Sequence, residues 1–245
     1  MLTKEKIKKI RSLHRKKFRE QLGLFLIEGP KMLEEAMLYA PDLVQEVYVM
    51  DSALHLCTTS KDKVYVVAEK ELRQLSMLKQ PQSLVAVCSF KPTSENAHEG
   101  KGLILALDRI QDPGNFGTIL RLAAWFGVKQ VLASDDTVEL YNPKVVQASM
   151  GSVFTVNVNY VNLEEVLKET KLPIYGALLE GESVYKSTLS VPSVLLMGNE
   201  GNGISDELLP LISNPIHIPK FGLGESLNVA MATGIFLSEY KRNDM

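Results

Sequence analysis

The stretch LLMGNEGNGIS, residues 195–205, leaves an apolar strand and breaks into three glycines set around one acid, Glu200. Gly198, Gly201 and Gly203 let the backbone approach a ligand closely or take positive φ. The order is G-x-x-G-x-G, without the Lys-Ser or Lys-Thr of a phosphate-binding loop and without the G-x-G-x-x-G of a dinucleotide turn. A carboxylate among the glycines repels phosphate and suits a hydroxyl donor, an amino group or a cation. The turn therefore fits an uncharged or positive ligand better than a triphosphate. Ser205 is positioned to cap a helix over 205–212, with Asp206 and Glu207 in its first turn.

The strand before this turn belongs to a repeating pattern. Apolar runs at 103–108, 130–134, 154–159, 173–179, 193–198 and 215–219 alternate with helical patterns at 115–126, 142–150, 162–170, 205–212 and 226–241. Strands that are apolar almost throughout imply a parallel sheet covered on both faces. In such sheets ligands bind beyond the carboxyl ends of the strands. Three strand exits, 108–121, 198–205 and 219–228, thus become the candidate site.

Upstream, runs at 23–27, 44–50, 63–68 and 83–89 alternate with helical patterns at 30–39, 51–58 and 69–78. They predict a second, smaller α/β unit with a mostly parallel sheet. The polar, Pro- and Gly-punctuated stretch KPTSENAHEGKG (91–102) separates the two, giving domains at 1–90 and 102–245 with a linker over 91–101.

Charge is unevenly spread. Residues 1–19 carry nine Lys and Arg against Glu5 alone, a net +8 in a chain whose total is −2, so the remainder carries −10. Either this is a solvated helix face with Ile7, Ile10, Leu13 and Phe18 as its apolar stripe, or it is a basic arm that tracks a phosphate backbone. Two cysteines, Cys57 and Cys88, make no disulfide framework, and four histidines show no metal-ligand spacing, so no metal is expected. No apolar run has the length of a membrane span and the N-terminus lacks a signal-peptide core; a cytoplasmic location is expected.

At the first exit, Asp112-Pro113-Gly114-Asn115 forms a turn with Asn115 as a helix N-cap. Arg121 follows about two turns into the helix, placed either as an exposed surface residue or as a phosphate or ribose contact. At the third exit, Gly222 and Gly224 lead to Ser226, where a helix of small residues begins (Ala230, Ala232, Thr233, Gly234). Ser226 and Asn228 serve as its caps or as polar groups of the site. No histidine or acid beside Ser226 makes it a nucleophile.

Taken in order, the three exits resemble the signature motifs of the SpoU (TrmH) family of RNA ribose 2′-O-methyltransferases. Asp112 to Ala123 looks like its D-P-x-N-x-G-x-x-x-R-x-A segment, Gly198 to Ile204 like G-N-E-x-x-G-I, and Ile218 to Asn228 like I-P…S-L-N; QASMGSVF (147–154) fits the stretch between the first two. KKFREQLGLFLIEGPKMLEEA more loosely resembles the family's small RNA-binding domain, related in fold to some ribosomal proteins. The resemblance implies a C-terminal α/β trefoil-knot domain with a mostly parallel sheet, and a homodimer with the last helix near its interface. It implies S-adenosylmethionine (AdoMet) held largely by main-chain groups near Leu178, Gly198, Asn199, Glu200, Gly201, Ile218, Pro219, Ser226 and Leu227. The reaction it implies is attack of a ribose 2′-hydroxyl on a sulfonium methyl, with Arg121, Asn115, Glu200, Ser226 and Asn228 as the catalytic set. Arg121 would grip the phosphate beside the target ribose, since a guanidinium of such high pKa is a poor general base, and a charged Glu200 would orient Arg121 or its neighbours. The RNA is expected to be ribosomal first and transfer RNA second. Two other readings stay open: a dinucleotide-dependent oxidoreductase, against which the missing G-x-G-x-x-G counts, and a non-catalytic RNA-binding module.

Overall fold

The computed structural model describes residues 2–57, 61–92 and 102–242. Packing divides the chain into two units, Met1–Pro92 with Glu139–Thr155, and Thr93–Val138 with Val156–Met245. Residues 139–155, placed by the sequence pattern in the second domain, thus pack as part of the first unit. Most of the expected linker, 93–101, lies outside the described residues.

The first unit holds α1 (Lys4–Ser12), α2 (Lys16–Leu22), β1 (Leu24–Glu28), α3 (Pro30–Tyr39), β2 (Val44–Val49), β3 (Val64–Val66), α4 (Glu69–Leu75) and β4 (Leu84–Ser89). The expected 51–58 helix is a 3-10 segment, Asp51–Leu56. The sheet order is β1-β4-β2-β3. It is not mostly parallel: β4 runs antiparallel to both β1 and β2, and only β2–β3 is parallel. The last strand, apolar along its length, inserts between two earlier ones and becomes the buried centre. Alternation splits β1 between two cores. Leu26 joins Ile10, Leu13, Leu72 and Leu75 of the α1/α4 side, whereas Phe25 lies 4.5 Å from the Tyr141 ring, which stacks at 4.0 Å on Phe90.

That second core explains why 139–155 belongs here. Its α6 (Pro143–Ser149) packs against β1, and Arg19 reaches Glu139 with Nε to Oε1 at 2.9 Å and Nη2 to Oε2 at 2.5 Å. The remaining arm of the Arg19 guanidinium donates to the Leu13 carbonyl. Arg19 is 3% exposed, so one cation of the basic segment is a structural tie and not a surface charge. Lys6 is likewise engaged by Glu46. The cations left facing solvent are Lys4, Lys8, Lys9, Arg11, Arg15, Lys16 and Lys17.

The second unit comprises β5 (Leu103–Leu107), α5 (Pro113–Trp125), β6 (Gln130–Ala133), β7 (Asn157–Tyr160), α7 (Leu163–Glu169), β8 (Ile174–Ser183), β9 (Ser193–Met197), β10 (Asn214–His217) and α8 (Val229–Arg242). Its six strands are ordered β10-β8-β9-β5-β6-β7 and every pairing is parallel. The central pair, β5 and β9, is buried almost throughout, as a sheet covered on both faces requires. From β5 the chain winds outward to β6 and β7, then returns to the opposite side. The switch point is therefore between β5 and β9, where open α/β sheets bind ligands.

Three local expectations are corrected. Strand 154–159 is a 3-10 turn at Ser152–Phe154 followed by β7, because Phe154 is drawn into the Phe25 cluster of the first unit. Strand 173–179 continues to Ser183, but the pairing with β10 jumps from Gly176 to Glu182, leaving 177–181 bulged. Helix 205–212 is absent apart from a 3-10 turn at Leu209–Leu211. Ser205 spends its N–H and hydroxyl on Asp108, and Pro210 has no N–H to continue a helix.

Candidate active site at the strand exits

The site begins with a cap. Asp112, and not Asn115, caps α5: its Oδ1 accepts the Asn115 N–H at 2.8 Å, with Pro113 in the first turn. This frees the Asn115 amide. Its Nδ2 donates to Glu200 Oε1 at 2.5 Å, and its Oδ1 accepts from Asn228 Nδ2 at 2.9 Å. Asn228 in turn caps α8, its Oδ1 accepting from Ala230 and Met231 N–H; the expected helix start at Ser226 moves to Val229. One amide from the first exit thus joins the second exit to the third. Behind it α5 packs on α8, where a Cβ on Gly234 would stand 3.4 Å from Leu122. The small residues of α8 serve this contact.

The second exit is a closed turn. Asn199 and Gly203 exchange backbone hydrogen bonds at 2.9 Å. The Asn199 side chain accepts from the Gly201 and Asn202 N–H groups and donates to the Arg109 carbonyl at 2.7 Å. Gly198 is packed so tightly that a Cβ would lie 2.2 Å from Gly203 C, and Gly203 itself has φ +68° with open space around it. Glu200 projects from this turn and bonds Asn115, on the same helix as Arg121. The main chain at Gly201 to Gly203 is exposed, and its three N–H groups are already engaged by Asn199. An exposed turn with one carboxylate fits AdoMet, whose sulfonium is positive and whose adenine amino group can donate to main-chain carbonyls.

Two residues that sequence reasoning missed stand beneath the turn. Asp108 is 2% exposed and accepts from Ser205 N–H at 2.7 Å and Ser205 Oγ–H at 2.5 Å. Arg109 has φ +56°, a conformation that costs a residue with a side chain roughly 1–2 kcal/mol. Its N–H donates to Ser134 Oγ at 2.8 Å, and its buried Nε faces Asp108 Oδ1 at 3.3 Å without hydrogen-bond alignment. The available signal was an aspartate ending an apolar strand at a switch point.

The other expected positions are more dispersed. Arg121 is exposed and makes no hydrogen bond or ion pair among the described residues, while Leu120 and Ala123 on the same helix are buried. Leu178 lies in the bulge of β8 and packs on the core of the second unit. Ile218 and Pro219 follow β10, half-buried. Ser226 and Leu227 are exposed, and the Ser226 hydroxyl is unpartnered among the described residues. Among those residues no group of three or more His, Cys, Asp or Glu could hold a metal ion. Burial raises the Cys88 thiol far above its usual range, which makes it a core filler.

A parallel sheet, a closed glycine turn at its switch point and a polar triad knitting three strand exits define the α/β class of protein that binds its ligand at the carboxyl ends of the strands. Residues 102–238 match the SpoU rRNA Methylase family, and residues 4–86 match the MRM3-like substrate binding domain. The chain belongs to the SpoU family. It is 33% identical to the 23S rRNA (guanosine(2553)-2′-O)-methyltransferase RlmP of Bacillus subtilis over 95% of this chain and 94% of that one. Among solved structures, a TrmH-family protein from Porphyromonas gingivalis superposes with a TM-score of 0.91 at 37% identity, covering 99% of both chains. An AdoMet-bound rRNA methyltransferase from Sinorhizobium meliloti superposes at 0.86 with 29% identity, covering 100% of this chain and 97% of the other. The fold is accordingly the knotted α/β fold of these methyltransferases with a small substrate-binding unit, and the chain is an RNA methyltransferase of that family.

Proposed function

We propose that this enzyme methylates a ribose 2′-hydroxyl of large-subunit ribosomal RNA. The observation that carries the choice of RNA is the match to RlmP, which spans the substrate-binding unit as well as the catalytic one. AdoMet supplies an electrophilic methyl whose leaving group departs neutral, so no acid is needed on that side. The protein's task is to place the weakly acidic hydroxyl, and orientation of this kind contributes roughly 7–11 kcal/mol in well-aligned reactions.

The site residues divide that task. Main chain at Gly198 to Gly201, with Ile218, Pro219 and Leu227, receives the donor, and Leu178 backs it from the core. Arg121, exposed and without a protein partner, grips the phosphate beside the target ribose. Asn115, Glu200 and Asn228 hold the three exits in register, and Ser226 adds a hydroxyl on the acceptor side. The exposed cations of α1 and α2 supply salt-dependent affinity for the RNA backbone, with single-stranded or loop RNA as the target. Deleting 1–90 would not test this cleanly, because Glu139, Tyr141 and Phe154 would lose their packing partners.

The enzyme acts as a homodimer through its catalytic unit. Support comes from apolar side chains left bare on α5 and around the start of α8: Trp125 is 83% exposed, Met231 64% and Leu227 52%. Among the described residues no helix is long and apolar enough to cross a membrane; a ribosomal substrate is what supports a cytoplasmic location.

Arg121→Ala tests the mechanism. Methyl transfer to ribosomal RNA should fall by at least about 10²-fold, the scale of one lost transition-state contact, with the calorimetric Kd for AdoMet unchanged. Full turnover by this variant would remove Arg121 from the mechanism. Mapping 2′-O-methyl positions in cells lacking the gene identifies the nucleotide, and a transfer RNA position would overturn the choice of RNA.

A further inference from the structure

Both ends of the 199–205 turn are fastened to one dipeptide, Asp108-Arg109. At the far end Ser205 donates its N–H and its hydroxyl to the same carboxylate oxygen of Asp108. At the near end Asn199 donates to the Arg109 carbonyl while accepting two N–H groups of the turn. The left-handed backbone at Arg109, held by Ser134, directs the Asp108 side chain and the Arg109 carbonyl to a single loop. A buried carboxylate and a non-glycine residue at positive φ are each unfavourable alone. Here they coincide at the switch point, and what they jointly satisfy is this turn.

We propose that Asp108 is a positioning residue for the methyl donor: through Ser205, and together with the Arg109 carbonyl, it holds the 199–205 turn in the shape that receives AdoMet. The proposal rests on the reading above that the main chain of this turn contacts the cofactor. Asp108 itself touches neither donor nor RNA. A turn that the protein already holds needs no ordering when the donor binds, so losing the anchor weakens donor binding and spares the transfer step.

The experiment measures the AdoMet Kd by calorimetry, and the steady-state KM and kcat, for Asp108→Asn, Ser205→Ala and the double variant. Asp108→Asn is expected to raise Kd and KM for AdoMet about tenfold and Ser205→Ala about three- to fivefold, the scale of lost buried hydrogen bonds. The double variant should be no worse than Asp108→Asn alone, because the two residues share the interaction. Saturating donor should restore kcat to within about threefold of wild type, and KM for RNA should not move, unlike a general loss of folded protein. A drop in kcat at unchanged AdoMet affinity, or additive effects, overturns the assignment. Should Asp108→Asn not fold, Ser205→Ala decides, since it deletes one hydroxyl and keeps the N–H bond; an unchanged Kd then rejects the proposal. Amide exchange on the wild-type enzyme separates the two levels of inference. If AdoMet leaves the 199–205 amides unprotected, the turn is not the donor seat; if it protects them while both variants bind donor normally, Asp108 alone is wrongly assigned.

Discussion

The turns after β9 and after β10 leave the same carboxyl end of one parallel sheet and are built in opposite ways. The first, 198–205, closes on itself, packs Gly198 against Gly203, and is anchored at both ends. The second, 219–228, is tied within itself only by Lys220 to the Gly224 carbonyl among the described residues, and reaches the site through Asn228. Its Phe221 is 92% exposed and its Leu223 fully so. Covering such side chains is worth roughly 1.5–3 kcal/mol each. One turn is thus shaped before any ligand arrives, and the other has most of its stabilisation still to gain from whatever covers it.

The contrast can be broken hardest at Gly198. A Cβ there meets backbone at 2.2 Å, so Gly198→Ala should lower Tm by several degrees, at about 2–4 °C per kcal/mol for a chain of this size, and abolish calorimetric AdoMet binding. Donor affinity that survives the substitution would mean the shaped turn is not where the donor sits. Next comes the amide that links the two turns. Asn115→Ala leaves the Asp112 cap in place but frees Glu200 and Asn228, and methyl transfer should fall by roughly 10²-fold with only a small change in Tm. Equal loss of both would mark Asn115 as structural. Phe221→Ser with Leu223→Ser should sharpen the contrast: stability stays within about 0.5 kcal/mol, while donor affinity or self-association measured by sedimentation weakens, according to which partner covers the loop. If neither changes, the bare turn has no occupant.

The smallest effect lies away from both turns and serves as a control. Burial pushes the Glu46 carboxyl upward, but hydrogen bonds from Lys6 and Tyr48 and the Lys6 charge hold it below the usual 4.5. Its contribution is complete above that value and is lost as pH falls through the depressed folded-state value. Glu46→Gln should therefore flatten the acid limb of the stability profile without altering AdoMet affinity near neutral pH. A change in donor binding would show that the two units are coupled through this cluster.

Much of this arrangement was legible before any coordinates. The 3.6-residue periodicity of 30–39 and the Pro at its start place α3 over the expected residues. The apolar runs of β5 and β9 announced a covered parallel sheet, and the glycines around Glu200 announced a tight turn. The site's wiring was less legible. Asp112 and Asn115 are both good caps by residue type, and only the helix start at Pro113 decides which one is left free. Arg19 reads as one of nine surface cations until Glu139 comes to it across 120 residues of chain. Residues 205–212 carry one local warning against a helix, Pro210, but nothing local reveals that Ser205 is already engaged by Asp108, 97 residues earlier.

By itself the sequence determined what depends on neighbours along the chain: strand and helix periods, turn glycines, the excess of positive charge at the start, and the ordered motifs that mark the family. Tertiary structure alone decided what depends on partners far away in sequence: the antiparallel insertion of β4, the burial of Arg19, and the single amide that gathers Glu200 and Asn228, 85 and 113 residues distant. The reason is physical. Backbone preference is set by adjacent side chains, whereas a polar side chain has several acceptable partners, and only the folded chain determines which of them lies within 3 Å.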